Sequence, residues 1–263
     1  MILFFIFIFG LTIGSFINCF IWRLYKGESL LNRSYCPKCR KKISWYDNIP
    51  IFSFLFLGGK CRHCQKKISL QYPVVEFIVG ILFMLFWWKY TGYINSFELY
   101  QTITIDYLKV FKGFFIISVM VVIFIYDLKW YLILDKISLP ASLVMLIINL
   151  FSGVALMDIL ICAIVGSSFF LIQFLVSNGR WIGGGDIRLG LLMGLIFPQL
   201  GLLILAIMLG YFIGSIIGIG LMFFGKKKWG SQLPLGVFLS TSTIITIIYG
   251  QEILDWYLGI VML

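Results

Sequence analysis

Few residues in this 263-residue chain can do chemistry, and two of them are aspartates at the edges of apolar runs. Asp186 closes Gly183-Gly184-Gly185-Asp186, where a polar turn (Ser177, Asn178, Arg180) gives way to the run Leu189 to Phe197. Asp127 ends a stretch through Val121, Val122, Ile123, Phe124 and Ile125. Acids at membrane depth are costly unless they face a cavity or each other, so they are functional candidates by default. Two carboxylates brought together by neighbouring helices cannot both ionise easily, and near neutral pH can hold one proton between them. The charged member then activates a water while the protonated one polarises a carbonyl. The titration belongs to the pair, so neither aspartate is assigned the acid or the base. Gly183 and Gly185, lacking a Cβ, let the chain turn sharply and another backbone come close. The helix that follows adds a positive dipole end beside Asp186. The bland alternatives are a plain interhelical loop at Asp186 and a water-facing helix end at Asp127, with Asp135 competing for its role. A phosphate cradle lacks the strand and spacing of a nucleotide fingerprint.

A second constellation is Cys36-Pro37-Lys38-Cys39 and Cys61-Arg62-His63-Cys64, with 21 residues between the pairs. Two such knuckles match a four-thiolate structural zinc site. A reducing location disfavours disulfides, and the segment is too short to bury a sufficient core without a staple. A redox dithiol is the rival, but it needs one Cys-x-x-Cys and not two. His63 is the only histidine, which argues against a His-based catalytic zinc and leaves it a solvent-facing turn residue. Cys19 and Cys162 lie within apolar spans and read as small packing residues. The stretch Trp45, Tyr46, Ile49, Pro50, Ile51, Phe52, Phe54 and Leu55 is expected to lie against the membrane surface or the helix bundle.

The elements that must position these groups are membrane helices. Hydrophobic residues make up 61% of the chain and charged ones 12%, outside the range of a soluble domain. Apolar runs near 2–22, 74–92, 107–126, 137–152, 156–176, 187–198, 201–224 and 232–250 predict about eight transmembrane helices in an all-α polytopic fold. The fourth and sixth are short and must be tilted, kinked or shielded. Residues 23–73 form the one sizeable polar insertion, between helices 1 and 2, and residues 23–72 carry 11 of the 21 lysines and arginines. If it is cytosolic, alternation also puts Lys129, Lys136, Arg180, Arg188 and Lys226-Lys227-Lys228 inside, leaving Lys89, Lys109 and Lys112 near the other face. The positive-inside rule then puts both termini outside and Asp127, Asp135 and Asp186 on the cytosolic side. Topology and anionic lipid account for the net charge of +10 without nucleic acid. Met1 to Phe20 lacks a basic n-region and a small-x-small cleavage site, so it is expected to remain as the first helix.

Taken in order, these motifs resemble the type IV prepilin peptidase family, bacterial membrane aspartyl proteases with a Gly-x-Gly-Asp motif. Gly14-Ser15-Phe16-Ile17-Asn18, ending at Ile21-Trp22-Arg23-Leu24, looks like its first-helix motif, and the cysteine pairs like its zinc knuckles. Tyr72-Pro73-Val74-Val75-Glu76 resembles the start of its second span; Asp127 and Asp186 lie at its two catalytic aspartates. Ile133-Leu134-Asp135 lacks the proline the family often carries there, so Asp135 stays a neighbour of the pair. The spacing from Asp127 to Asp186 is slightly short, which points to a short loop near Phe151 to Met157.

The resemblance implies an enzyme of the inner membrane that cuts prepilin or pseudopilin precursors at the cytosolic face. The cut falls after a glycine and before an apolar stretch that stays in the membrane. It further implies N-methylation of the new terminus with S-adenosyl-L-methionine, for which Glu76 is the carboxylate to examine. A helix-start acid paired with a lysine is its bland reading. The expected organisation is a first helix (1–22), a zinc-binding insertion (23–73) contributing with adjoining helices to methyl transfer, and an aspartyl peptidase domain (74–263). The rivals are an ion-coupled transporter, which predicts acids near mid-depth of a repeated architecture, and a non-catalytic membrane-anchored zinc module.

Overall fold

The computed structural model describes residues 1–97, 106–225 and 232–261, with the side chains of 93–97 and 261 left aside. Lys226, Lys227 and Lys228 of the orientation argument lie outside the described residues. Within them there is no strand; helices are joined by short loops. They are α1 (Ile2–Lys26), α2 (Phe52–Phe56), α3 (Gln71–Phe97), α4 (Tyr107–Trp130), α5 (Asp135–Phe151), α6 (Leu156–Ser177), α7 (Gly184–Ile196), α8 (Leu200–Phe223) and α9 (Leu235–Val261). The chain divides into two compact units, Met1–Ile105 and Asp106–Leu263.

In the first unit α1 and α3 lie along one another, with backbones in close approach. A Cβ on Gly14 would fall 2.6 Å from the Glu76 Cα, and one on Gly10 2.7 Å from the Gly80 Cα. Small residues on such a seam are the usual means of packing helices in lipid, where no hydrophobic drive pulls them together. α1 ends at Gly27 in the left-handed region (φ 67°). Buried Arg23, in its last turn, then turns its guanidinium onto the carbonyls of Leu30 and Asn32 and pins the start of the insertion.

In the second unit α4 to α9 run up and down in sequence order. The C-terminal ends of α4, α6 and α8 therefore share one end of the unit with the N-terminal ends of α5, α7 and α9. α9 packs between α4 and α8, and its Ser240, Ser242 and Thr243 are buried. Their hydroxyls donate to carbonyls three or four residues back (Val237 and Leu239), so these three are paired within the helix. The buried Thr246 hydroxyl further along α9 has no partner among the described residues.

Six of these helices are long and apolar enough to cross a membrane: α1, the first 22 residues of α3, α4, α6, α8 and α9 through Ile260. α5 and α7 are not. At 17 and 13 residues they span about 26 and 20 Å, short of a roughly 30 Å hydrocarbon core. The expected eight crossings are therefore not confirmed: six helices among the described residues are long and apolar enough, and the two that fall short are the same two the sequence marks as short. Two boundaries also move. α7 begins at Gly184 and takes Asp186 into its first turn, and α9 starts at Leu235 and runs on to Val261.

A short helix survives at membrane depth only if its ends are satisfied within the protein. α7 is buried along most of its length (Leu189, Gly190, Leu192 to Ile196). Against α6 its backbone is in contact: a Cβ on Gly190 would overlap the Gly166 carbonyl, and one on Gly194 the Cys162 carbonyl. At its C-terminal end the Leu195 carbonyl accepts from Asn149 Nδ2 (2.6 Å), and Asn149 Oδ1 accepts from Lys112 Nζ (2.8 Å). A cation beyond a helix C-terminus also complements its dipole. Asn149→Ala strands both partners of a fully buried amide and should cost about 1–3 kcal/mol. A lower melting temperature of the purified protein in detergent is expected; an unchanged one would remove this bond from the account.

Candidate active site and metal centre

The second unit holds an acidic site built on two helix starts. α4 continues one turn beyond Asp127 and stops at Tyr131, left-handed at φ 54°, whose N–H returns to the Asp127 carbonyl (2.9 Å). This corrects the expectation that the span ends at Asp127. The Asp127 side chain reaches the N-terminus of α9, where its Oδ2 accepts the Val237 N–H (3.1 Å). A Cβ on Gly236 would sit 2.8 Å from that oxygen, so only glycine leaves room. Asp186 is the third residue of α7, and its Oδ2 accepts the Gly183 N–H (2.9 Å), folding back over the helix start. Both acids are buried, at 4% and 8% exposure.

Ile133, in the link between α4 and α5, joins the two. A Cβ on Gly185 would lie 2.9 Å from the Ile133 Cβ, and one on Gly236 3.1 Å from its Cδ1. The structure thus brings Asp127, Asp186, Gly183 and Gly185 to one end of one unit. Asp135 is placed differently. It opens α5, about half exposed, and pairs with the Arg188 guanidinium two residues beyond Asp186. Gly236, Val237 and Ile133 escaped the reading of the sequence. The only signal in the sequence is Pro234-Leu235-Gly236 at the start of an apolar run. Acids gathered at one end do not match the mid-depth site of an ion-coupled carrier.

In the first unit the two cysteine knuckles repeat one another bond for bond. The Cys36 N–H donates to the Lys41 carbonyl and the Cys61 N–H to the Lys66 carbonyl (2.9 and 3.0 Å). The Arg40 N–H returns to Cys36 and the Gln65 N–H to Cys61 (2.8 and 2.9 Å), with both donor residues left-handed at φ 57° and 55°. The four sulfurs of Cys36, Cys39, Cys61 and Cys64 lie within 4.8 Å of one another, and Cys36 Sγ is 4.0 Å from Cys64 Sγ. A tetrahedral zinc at about 2.3 Å from each sulfur needs them about 3.8 Å apart, so the donor set fits a metal with little adjustment. His63 is exposed, and Cys19 and Cys162 stand apart within helices. Bidentate Arg62 (2.7 and 2.9 Å) holds the Asp47 carboxyl below the usual range, tying the second knuckle to the segment before α2.

Glu76 is buried in α3, and it accepts the Ile51 N–H (2.8 Å) and pairs with no lysine among the described residues. One turn below, Asn18 Nδ2 donates to the carbonyls of Gly14 and Tyr72 (3.2 Å each), and its Oδ1 accepts from Gln71 (3.0 Å). The motif in the first helix and the one opening α3 are therefore halves of one polar seam.

Known proteins agree with this layout. Residues 8–90 match the bacterial peptidase A24 N-terminal domain, and residues 114–221 match the type IV leader peptidase family. The chain is 28% identical to a prepilin leader peptidase/N-methyltransferase of Aeromonas salmonicida, over 98% of this chain and 94% of the relative. It is 27% identical to a protein of the same name from Bacillus subtilis, over 96% of each. Over 99 residues, 34% of this chain and 39% of the relative, it is 46% identical to one from Vibrio cholerae. No solved structure gives a significant match. With both halves matched in order, and the motifs of each meeting in space, the chain belongs to the type IV prepilin peptidase family.

Proposed function

We propose that the chain is a membrane-embedded aspartyl endopeptidase that removes the leader of prepilin-like precursors. Asp127 and Asp186 are its catalytic pair. One observation carries the reading: two buried carboxylates stand at one end of the second unit, each oriented by backbone N–H groups of a helix start. Held so, they can bind a water and share a proton. The water attacks the scissile carbonyl as one carboxylate takes its proton; the protonated partner donates to the carbonyl oxygen. Gly236 keeps the Asp127 carboxylate clear of side-chain bulk, and Gly185 lets the start of α7 come up against Ile133. Arg188, paired with Asp135, stands at the rim. We assign this end to the cytosolic face of the inner membrane, where the basic insertion also belongs by the positive-inside rule. The peptidase part lies within residues 74–263, and the zinc-binding insertion is residues 23–73.

We further propose that Cys36, Cys39, Cys61 and Cys64 hold a structural zinc. Such an ion would supply folding free energy to a segment with almost no core of its own. N-methyltransferase is part of the relatives' names, and we assign that second activity to this chain with S-adenosyl-L-methionine as donor. Glu76, already bonded to the Ile51 N–H, would serve it by ordering residues 51–56 and not by gripping the donor.

In membranes carrying a prepilin-like substrate, Asp127→Asn and Asp186→Asn should each lower cleavage at least about 10³-fold at normal expression. Asp135→Asn should cleave near the wild-type rate; wild-type cleavage by either of the first two would remove that aspartate from the pair. Gly236→Ala, which pushes a methyl into the Asp127 carboxylate, should cost about 10²-fold, read as kcat at unchanged expression. A chelator strong enough to strip zinc, or Cys39→Ser, should make residues 33–68 sensitive to protease while α4 to α9 stay resistant. Unchanged resistance with no zinc bound would contradict the structural-zinc assignment.

A further inference from the structure

The insertion contains a short helix whose apolar side is turned out. α2 is five residues long, and Phe52, Leu55 and Phe56 fall at i, i+3 and i+4, on one face. They are 57%, 66% and 87% exposed, and Trp45, just upstream, is 76% exposed with its ring edge-on to Tyr46. Aromatic rings left bare on one side of a helix mark something that covers them.

The backbone fixes the depth at which they stand. Ile51, before α2, lies at φ 61°, ψ −53°, and the Phe52 N–H donates to the Pro50 carbonyl (2.6 Å). This is a tight three-residue turn that a β-branched residue rarely adopts. What holds it is buried Glu76, which accepts the Ile51 N–H (2.8 Å). Glu76 is the sixth residue of α3, about 8 Å along the axis from Gln71, and lies just inside the apolar run 74–92 of a helix long enough to cross a membrane. α2 therefore hangs beside the first two turns of a membrane helix, not out in the water beyond it. Its charge surroundings point the same way. Residues 23–72 carry eleven lysines and arginines against two acids. Glu28 is bonded to the Tyr35 hydroxyl and Asp47 to Arg62, so the net surface is strongly basic.

We propose that the Phe52–Leu55–Phe56 face, with Trp45 and Tyr46, inserts into the headgroup–acyl boundary of the adjacent leaflet. The surrounding lysines and arginines then lie on anionic headgroups. A short amphipathic element with aromatics on one side and cations around it has the physical character of an interfacial anchor. It lays the cysteine knuckles flat on the bilayer through the rigid Glu76–Ile51 clamp. The proposal does not depend on the peptidase reading.

The test uses the full-length protein in vesicles of phosphatidylcholine and phosphatidylglycerol, with an environment-sensitive fluorescent amino acid at Phe56. A second sample carries it at Lys41, on the first knuckle. Lipids brominated near the top of the acyl chain should quench most of the emission at position 56, and aqueous iodide little of it. At position 41 the order should reverse. Quenching of position 56 by iodide and not by lipid would place the face in water. Quenching by neither would mean that protein covers it. Either result overturns the proposal. A reporter at Leu55 repeats the measurement should the first substitution disturb folding.

Discussion

An acid kept inside a membrane protein must be given hydrogen bonds by the protein itself, and here the backbone at helix starts gives them. The N–H group of Val237 holds Asp127, that of Gly183 holds Asp186, and that of Ile51 is held by Glu76. The first four N–H groups of any helix lack partners within it, so a carboxylate laid there relieves two shortages at once. The rest of the second unit can be understood as what that arrangement requires. α9 must begin beside the end of α4, and α7 must be short enough to begin beside both. The Asn149–Lys112 pair and the glycine contacts with α6 are what let so short a helix lie buried.

Much of this was legible in the residues themselves. The apolar runs marked the helices, and the two short ones already stood out. Asp127, Asp186 and the four cysteines were singled out because acids at the edge of apolar runs and paired Cys-x-x-Cys motifs have few structural uses. What stayed hidden was everything that depends on tertiary contact. Gly236 matters because of a carboxylate 109 positions earlier in the chain, and Ile133 because it touches the glycines beside both acids. Helix ends also lie about a turn from the edges of the apolar runs. The helical hydrogen bonds carry through Trp130 on α4, and the glycines of α7 accept helical geometry once Asp186 caps them. Hydropathy cannot register either effect.

The two units solve different problems with different means. In the second, long apolar helices supply the scaffold and leave a small polar site at one end. In the first, α1 and α3 share a close glycine seam and a polar one made by Asn18, Gln71 and Glu76. Between them the insertion has little apolar core, and its order comes from repeated knuckles, four convergent sulfurs and the Arg23 and Arg62 tethers. Asp135 shows how easily a third acid could be mistaken for a member of the pair. Its exposure and its bond to Arg188 separate it from the two buried carboxylates.

The central claim is that Asp127 and Asp186 act as one catalytic unit. The most direct measurement compares the cleavage rate of the Asp127→Asn/Asp186→Asn double variant with those of the two single variants, under identical membrane conditions. Groups that work as a unit are grossly non-additive, so the double variant should be no slower than the slower single one. A rate reduced by the product of the two single effects would mean that the aspartates contribute independently, and would contradict the shared-proton pair.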